Sequence, residues 1–448
     1  MKDTIVARAS GAGSGGICVL RLSGDDAVLI ASRVFRSKVP LTEKPTHTVT
    51  YGFAYNRDGE VLDECLATVM LAPRSYTMEN TVEISCHGGF TAARMVEEAL
   101  LFAGARPAEP GEFTLRAFLN GRIDLTKAES VADIITAKTS RSLKSAVTQL
   151  RGGLFDTVKA YRERILSLSA TIMAANDFPE EIEEELTNRE LLAEITQLEQ
   201  DLKKTLATAD TGRMLTEGAK ICLVGKPNTG KSSLMNRLLK ENRAIVTDIP
   251  GTTRDTIEAW MEIDGIPMML YDTAGIHETE DAVEKIGTQR AVSCLKEADI
   301  CLFVLDASKE AEEEDREVLS LLENSDVITI ENKCDLEHKL SFKTPFKTLQ
   351  ISTKSGEGVD SLLSVLKEKL GQNNAENGAV IANERQKKAL VEALDALERA
   401  KYAFEDGMPS DLIFIDLESA LAALGEITGE NVSEDVIDTI FSRFCVGK

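Results

Sequence analysis

The run Gly225-Lys226-Pro227-Asn228-Thr229-Gly230-Lys231-Ser232 fits G-x-x-x-x-G-K-[ST], and it lies between an apolar strand pattern, Ile221 to Val224, and a helical one, Ser233 to Leu239. Few folds accept that arrangement. A loop that leaves a buried strand, exposes its amides and opens a helix belongs to a mostly parallel sheet covered by helices, and it cradles phosphate oxygens. In such a cradle Lys231 reaches the β- and γ-phosphates of a nucleotide and Ser232 ligates Mg²⁺.

The segments that follow complete the apparatus in order. Gly251-Thr252-Thr253-Arg254-Asp255 offers a threonine to the metal and the γ-phosphate, and Asp272-Thr273-Ala274-Gly275 brings a carboxylate and a backbone amide to the same place. In Asn332-Lys333-Cys334-Asp335, the Asp335 carboxylate can accept from guanine N1 and the exocyclic amine, which adenine does not present; Ser352-Thr353-Lys354 fits the last guanine-contacting loop. These motifs resemble the GTPase superfamily of translation factors and Ras-like switches. GTP contacts are therefore expected at Asn228, Thr229, Gly230, Lys231, Ser232 and Ser233, along Thr247, Asp248, Ile249, Pro250, Gly251, Thr252 and Thr253, and in the later motifs, with Mg²⁺ on Ser232 and Thr253.

Ras-type enzymes orient water with a glutamine shortly after the D-x-x-G glycine, but here Ile276-His277-Glu278 follow. Another side chain must then orient the water. Glu284 is the candidate, although by itself it reads rather as part of a charged helix face. Asn228 resembles the asparagine that holds K⁺ in potassium-activated GTPases, with further ligands expected in Thr247 to Thr252; the plainer reading is a loop brace.

The 448 residues carry a net charge of −23, distributed as −2 over residues 1–120, −3 over 121–216, −10 over 217–371 and −8 beyond. The overall field repels phosphate, so a general DNA binder is excluded and any nucleic-acid contact needs a local patch, best placed in the first two segments. The acidic runs Glu180 to Glu185 and Glu310 to Asp315 read as solvated faces. The 8 cysteines are scattered without a C-x-x-C pair and only 4 histidines accompany them, which argues against a disulfide framework or a zinc site. No signal peptide or membrane span is evident, so a cytoplasmic protein without membrane contact is expected.

Four segments are expected. Residues 1–120 read as an α+β domain with strands Thr4 to Ala7, Ile17 to Leu22, Leu66 to Leu71 and Thr81 to Cys86 and a helix near Ala92 to Phe102. Residues 121–216 read as helical, broken at Asn176-Asp177-Phe178-Pro179. Residues 217–371 alternate strand and helix, and after the polar linker Gly371 to Gly378 residues 372–448 carry three helical stripes. The fold class is thus multidomain, with an α+β domain and a helical domain interrupted by an inserted Ras-like α/β domain. Gly11 to Gly16 also satisfies G-x-G-x-x-G, but a strand pattern follows instead of a helix, so no NAD or FAD site is expected there.

The ordered set Asn176 to Glu181, Gly225 to Ser232, Asp248 to Asp255, Val283-Glu284-Lys285-Ile286-Gly287 and Phe444-Cys445-Val446-Gly447-Lys448 resembles the MnmE (TrmE) family, as do Asp3 to Ala7, Gly104 to Pro107 and Pro110 to Thr114. The likeness spans essentially the whole chain. It implies a homodimeric GTPase that works with the flavoprotein MnmG on the wobble uridine of certain tRNAs, adding an aminomethyl or carboxymethylaminomethyl group at C5. It implies an N-terminal domain that dimerises and binds a tetrahydrofolate derivative, 5-formyl or 5,10-methylene, with FAD supplied only by the partner. It puts the catalytic glutamate at Glu284, K⁺ on Asn228 and Thr252 by side chain and on Thr247 and Ile249 by carbonyl, and folate contacts at Arg21, Glu83, Arg122 and Lys448. Arg122 stands where lysine is common, Pro250 where alanine is frequent, and His277 where an arginine is common. Cys445 is open to two readings, a thiol in one-carbon chemistry or a buried helix-end cysteine. Two further classes compete: an RNA-assembly GTPase, which needs a basic RNA-binding module that the acidic tail does not resemble, and a folate-binding scaffold that only switches partners.

Overall fold

The computed structural model describes residues 3–11, 15–177, 184–241, 258–272, 294–323, 325–371 and 380–448. The chain divides into two compact units, Met1–Ala132 with Leu424–Lys448, and Asp133–Ala423.

In the first unit the described residues form a seven-stranded sheet in the order β3-β4-β5-β6-β2-β1-β7. The strands are β1 Ile5–Arg8, β2 Ile17–Ser23, β3 Phe35–Arg36, β4 Thr48–Tyr55, β5 Val61–Met70, β6 Thr81–His87 and β7 Arg106–Pro107. Neighbours run antiparallel except β1 and β7. Helices Ala27–Val34 and Phe90–Phe102 bury one stripe each, Ile30, Ala31 and Val34 from one and Ala93, Val96 and Leu100 from the other, against Leu20, Leu22, Val69, Val82 and Ile84. The alternation of a half-buried antiparallel sheet leaves the other face with exposed apolar residues Ile17, Val49, Tyr51 and Leu66. The four expected strands and the expected helix are present: β1 is shifted by one residue, β2 and β6 run one residue further, β5 starts five residues earlier and ends one earlier, and the helix starts two residues earlier; β4 and the first helix go beyond the expectation, Gly52 in mid-strand weakening the β4 pattern. A strand does follow the glycine run, beginning at Ile17.

Beneath this sheet Arg116, 1% exposed in its side chain, is locked among carboxylates: Asp3 Oδ1 and Glu112 Oε1 at 2.9 Å and Glu79 Oε2 at 3.1 Å. Arg106 adds a second pair to Glu112 at 2.7 Å. Helices Glu112–Leu119 and Glu434–Phe441 pack through Phe118, Phe441 and Phe444, which seats the end of the chain in this unit.

The second unit holds a six-stranded sheet, order β13-β12-β11-β8-β10-β9, with β8 Ala219–Val224, β9 Glu258–Ile263, β10 Ile266–Asp272, β11 Ile300–Asp306, β12 Val327–Asn332 and β13 Lys347–Ile351. All adjacent pairs are parallel except β9 with β10. Its inner strands are buried on both faces, as β11 shows from end to end, because helices Lys231–Glu241, Glu313–Leu321 and Val359–Gly371 accompany the sheet, while the edge strand β13 is largely exposed. Around it lie helices Ser140–Leu150, Gly153–Asp177, Glu184–Leu206, Ala209–Thr216 and Glu384–Glu405. Helix Glu184–Leu206 packs on Glu384–Glu405, pinned by Lys401 Nζ to Glu199 Oε2 at 2.9 Å, so helical chain from before and after the α/β block joins and the block is an insertion. Helix Gly153–Asp177 is described as far as Asp177; the expected break at Phe178-Pro179, residues 180–183 of the first acidic run and linker residues 372–378 lie outside the described residues. Among the described residues no helix is long and apolar enough to cross a membrane.

Candidate functional site

Strand β8 ends at Val224 and the glycine loop turns at once. Gly225 has φ +144° and a Cβ there would stand 2.3 Å from the Val304 carbonyl oxygen on β11. Gly230, φ +99°, lies so close to Asn332 that a Cβ would come within 2.2 Å of its Nδ2. Between them Asn228, exposed, takes φ +63°. Lys231 is buried, and its Nζ donates to the carbonyls of Gly225 at 2.6 Å and Lys226 at 2.8 Å, closing the loop on itself. Burial pulls the Lys231 pKa down, opposed by the Asp272 charge. Thr229 Oγ1 donates to Lys226 O at 3.0 Å.

The carboxylate at the end of β10 meets the start of the helix. Ser232 Oγ donates to Asp272 Oδ2 at 2.6 Å, which pairs the hydroxyl and the carboxylate that share Mg²⁺ in P-loop nucleotide hydrolases. An exposed hydroxyl beside a buried carboxylate, facing a loop of amides, fits a hard cation with oxygen ligands.

The expected base-contacting residues are joined to this loop. Asn332, fully buried at the end of β12, donates from Nδ2 to Thr229 O at 2.8 Å and accepts from Thr353 N at 3.1 Å, so it braces two loops against each other. Lys333, at φ +66°, donates to Asn228 O at 3.0 Å and to Asp306 Oδ2 at 2.6 Å. Although burial works against it, hydrogen bonds from Lys333 and Ser308 hold the Asp306 carboxyl below its ordinary pKa. Asp335 is exposed, and Ser352 Oγ donates to its Oδ1 at 2.6 Å, orienting the carboxylate. Lys354 is exposed beside it. Thr247, Asp248, Ile249, Pro250, Gly251, Thr252, Thr253, Thr273, Ala274, Gly275 and Glu284, with Arg254, Asp255 and His277, lie outside the described residues.

Two partners of the loop were not anticipated. Lys226 Nζ reaches Asp315 Oδ2 at 2.8 Å and Glu312 Oε2 at 3.0 Å. The run Glu310 to Asp315 is therefore not merely a solvated face: Asp315 is 2% exposed, and Glu312 with Asp315 forms a reciprocal capping box at the start of helix Glu313–Leu321. The Glu-x-x-Asp spacing signals the cap, but nothing in it signals the lysine ninety residues away.

A second polar cluster occupies the first unit. Arg21 on β2 and Glu83 on β6 are register partners, joined Nε to Oε1 at 2.8 Å. The Arg21 guanidinium lies over the rings of Tyr76 at 5.4 Å and Phe113 at 5.6 Å. Arg122 lies over the same Tyr76 ring at 4.8 Å and donates to Tyr76 O at 3.1 Å. Lys448 O accepts from Phe113 N at 3.2 Å, and Val446 forms a bridge with Pro110. Arg21 thus meets both Tyr76 and Phe113, Arg122 meets Tyr76, Lys448 meets the Phe113 backbone, and Glu83 joins them through Arg21; no sequence signal marks Tyr76 as their neighbour. Cys445 is exposed, contrary to the plainer reading of a buried cysteine at a helix end, because helix Glu434–Phe441 has already finished.

Two family models match the chain. The GTP-binding protein TrmE N-terminus model matches residues 4–122, and the MnmE helical domain model matches residues 125–445. A tRNA modification GTPase MnmE from Lactobacillus delbrueckii subsp. bulgaricus is 44% identical over 100% of this chain and 98% of its own length. Another from Thermoanaerobacter pseudethanolicus is 45% identical over 100% of this chain and 99% of its own. Among solved structures, the G domain of the T. maritima FeoB iron transporter aligns with 34% of this chain and 97% of its own at 27% identity, with a TM-score of 0.26.

Proposed function

The chain belongs to the MnmE family of tRNA modification GTPases, and from that premise we propose that it hydrolyses GTP to GDP and phosphate in a K⁺-stimulated reaction and, with the FAD-dependent partner MnmG, modifies C5 of the wobble uridine of certain tRNAs in the cytoplasm, using a tetrahydrofolate one-carbon unit. The observation that carries the hydrolysis is the closed glycine loop, with Lys231 spent on two of its carbonyls and Ser232 on Asp272. A γ-phosphate entering the loop offers Lys231 a better partner than those carbonyls, since a charge-assisted bond to phosphate is stronger than one to a neutral oxygen. Loop amides and the start of helix Lys231–Glu241 hold the phosphates in place. Asp335, oriented by Ser352, accepts from guanine, while Asn332 and Lys333 keep the two ends of the site in register.

Ser232 and Thr253 would hold Mg²⁺, which supplies positive charge to the β- and γ-phosphate oxygens. Asn228 with Thr247, Ile249 and Thr252 would hold K⁺, which supplies charge where other GTPases use an arginine; the exposed position of Asn228 in the loop supports this. Glu284 orients the attacking water. Arg21, Glu83, Arg122 and Lys448 would take the folate: the carboxylate accepts from the pterin's donors and the cations meet its carboxylates. We read the domain plan as 1–120 for dimerisation and folate, 121–216 and 372–448 for the helical domain, and 217–371 for GTP. The open apolar face with Ile17, Val49, Tyr51 and Leu66 supports homodimerisation through the first unit.

The test is steady-state GTP hydrolysis in KCl against NaCl at equal ionic strength, with ATP as control. Strong stimulation by K⁺ without ATP turnover is expected, and replacing Glu284 by alanine lowers kcat by about 10² to 10⁴ with GTP affinity retained. Equal rates in both salts would remove the K⁺ mechanism and favour a switching scaffold.

A further inference from the structure

The hairpin β9–β10 joins the two stretches that bear the remaining nucleotide-binding motifs. In sequence, Gly251 to Asp255 precedes it, and Thr273 to Gly275 follows it directly. Its inner strand ends on Asp272, the carboxylate held by Ser232, and its outer strand pairs with β10 alone among the described strands. A hairpin at a sheet edge is ordinarily the most loosely held part of the sheet.

Here it is gripped from outside the α/β block. Thr139 caps helix Ser140–Leu150 by accepting from Ser142 N at 3.1 Å, and the same hydroxyl donates to Gly265 O at the hairpin turn, 2.6 Å away. Arg141 Nη1 donates to Asp264 O at 3.3 Å. Gly265, φ +81°, lies so close under Arg141 that a Cβ would come within 2.8 Å of the arginine's own Cβ. Lys138 Nζ stands 3.6 Å from the centroid of the Trp260 ring on β9 and has no carboxylate partner among the described residues. Gly218 also lies against that ring: a Cβ there would stand 2.6 Å from Trp260 Cζ3. From the turn to Asp272 the six steps of β10 span about 20 Å, in one extended strand with a fixed register on β8.

We propose that Lys138, Thr139 and Arg141 are positioning residues for GTP hydrolysis: by holding the turn and outer strand of this hairpin, the helical segment sets where Asp272 stands and transmits the nucleotide state to the helices. The inference rests on the hydrolysis reading above. The cation–ring contact is its most sensitive part, because a half-buried ammonium whose partner is a π-face gains little elsewhere if the ring shifts. Burial also lowers the Lys138 pKa, in keeping with its lack of a carboxylate.

Trp260 is the sole tryptophan of the chain, so its emission reports this contact without a label. The experiment compares wild type, Lys138→Met and Lys138→Arg in the full chain, measuring kcat and KM for GTP and the Trp260 emission with bound GDP against a bound non-hydrolysable GTP analogue. Lys138→Met is expected to lower kcat by about 3- to 10-fold, with KM changed less than about twofold, and to abolish the emission difference; Lys138→Arg restores both. Wild-type kcat with an unchanged emission difference in Lys138→Met overturns the proposal, as does a matching rise in KM or failure of arginine to rescue. A wild-type chain that binds GTP without turning it over removes the hydrolysis reading instead, and the emission difference then decides the clamp: its loss in Lys138→Met and return in Lys138→Arg support it, its persistence overturns it.

Discussion

In the phosphate site the polar side chains serve the main chain: Lys231, Asn332 and Lys333 all donate to loop carbonyls, and the phosphate-facing surface is left to amides. In the arginine cluster of the first unit the roles are reversed. There the backbone of β2 and β6 only sets a register, and Arg21, Glu83, Arg122, Tyr76 and Phe113 make the surface. A site made of amides tolerates little added volume and survives many changes of functional group, whereas a site made of side chains fails when a functional group changes and is supported by whatever charge lies beneath it.

Two substitutions and one deletion press on that contrast, in descending size. Replacing Arg116 by methionine leaves Glu79 and Glu112 without their buried cation, and urea denaturation should show a loss of about 3 to 5 kcal/mol, carried by the unit that holds the arginine cluster. A loss under about 1 kcal/mol would show that the carboxylates find other partners. Gly230→Ala changes no functional group, yet the new methyl meets Asn332 at 2.2 Å with a left-handed backbone; GTP affinity should fall by about 100-fold. Retained affinity, by titration calorimetry, would mean that side chains carry the phosphate site after all. Deleting Gly447 and Lys448 removes one cation and the carbonyl that accepts from Phe113 N. Binding of 5-formyltetrahydrofolate should weaken by about tenfold, and unchanged binding would take the tail out of the cluster.

What the sequence disclosed follows the same division. Residues 225–232 are consecutive, so their glycines and lysine read as one motif, and the strand and helix on either side could be placed to within a few residues. The acidic run before helix Glu313–Leu321 misled, because a carboxylate that is solvated and one that is buried under a lysine look alike until the fold brings Lys226 to it. Strand β9 went unread because Glu258 and Glu262 interrupt its apolar residues, as suits a strand at an edge. Arg21, Glu83 and Arg122 were named only through resemblance. Nothing local distinguishes them from surface charges, and Tyr76 and Phe113 join them through register and helix placement, which pairwise spacing does not encode.

The first unit is closed by residues that follow its sheet only after roughly 300 others. At about 5 to 20 residues per second, a nascent sheet waits some 15 to 60 s for helix Glu434–Phe441 to arrive. During that interval Gly111, Phe113 and Phe118 stand without the segment that later covers them. The unit thus closes only after its α/β insertion has been made, and a newly made chain has to carry an incomplete surface through the synthesis of that insertion.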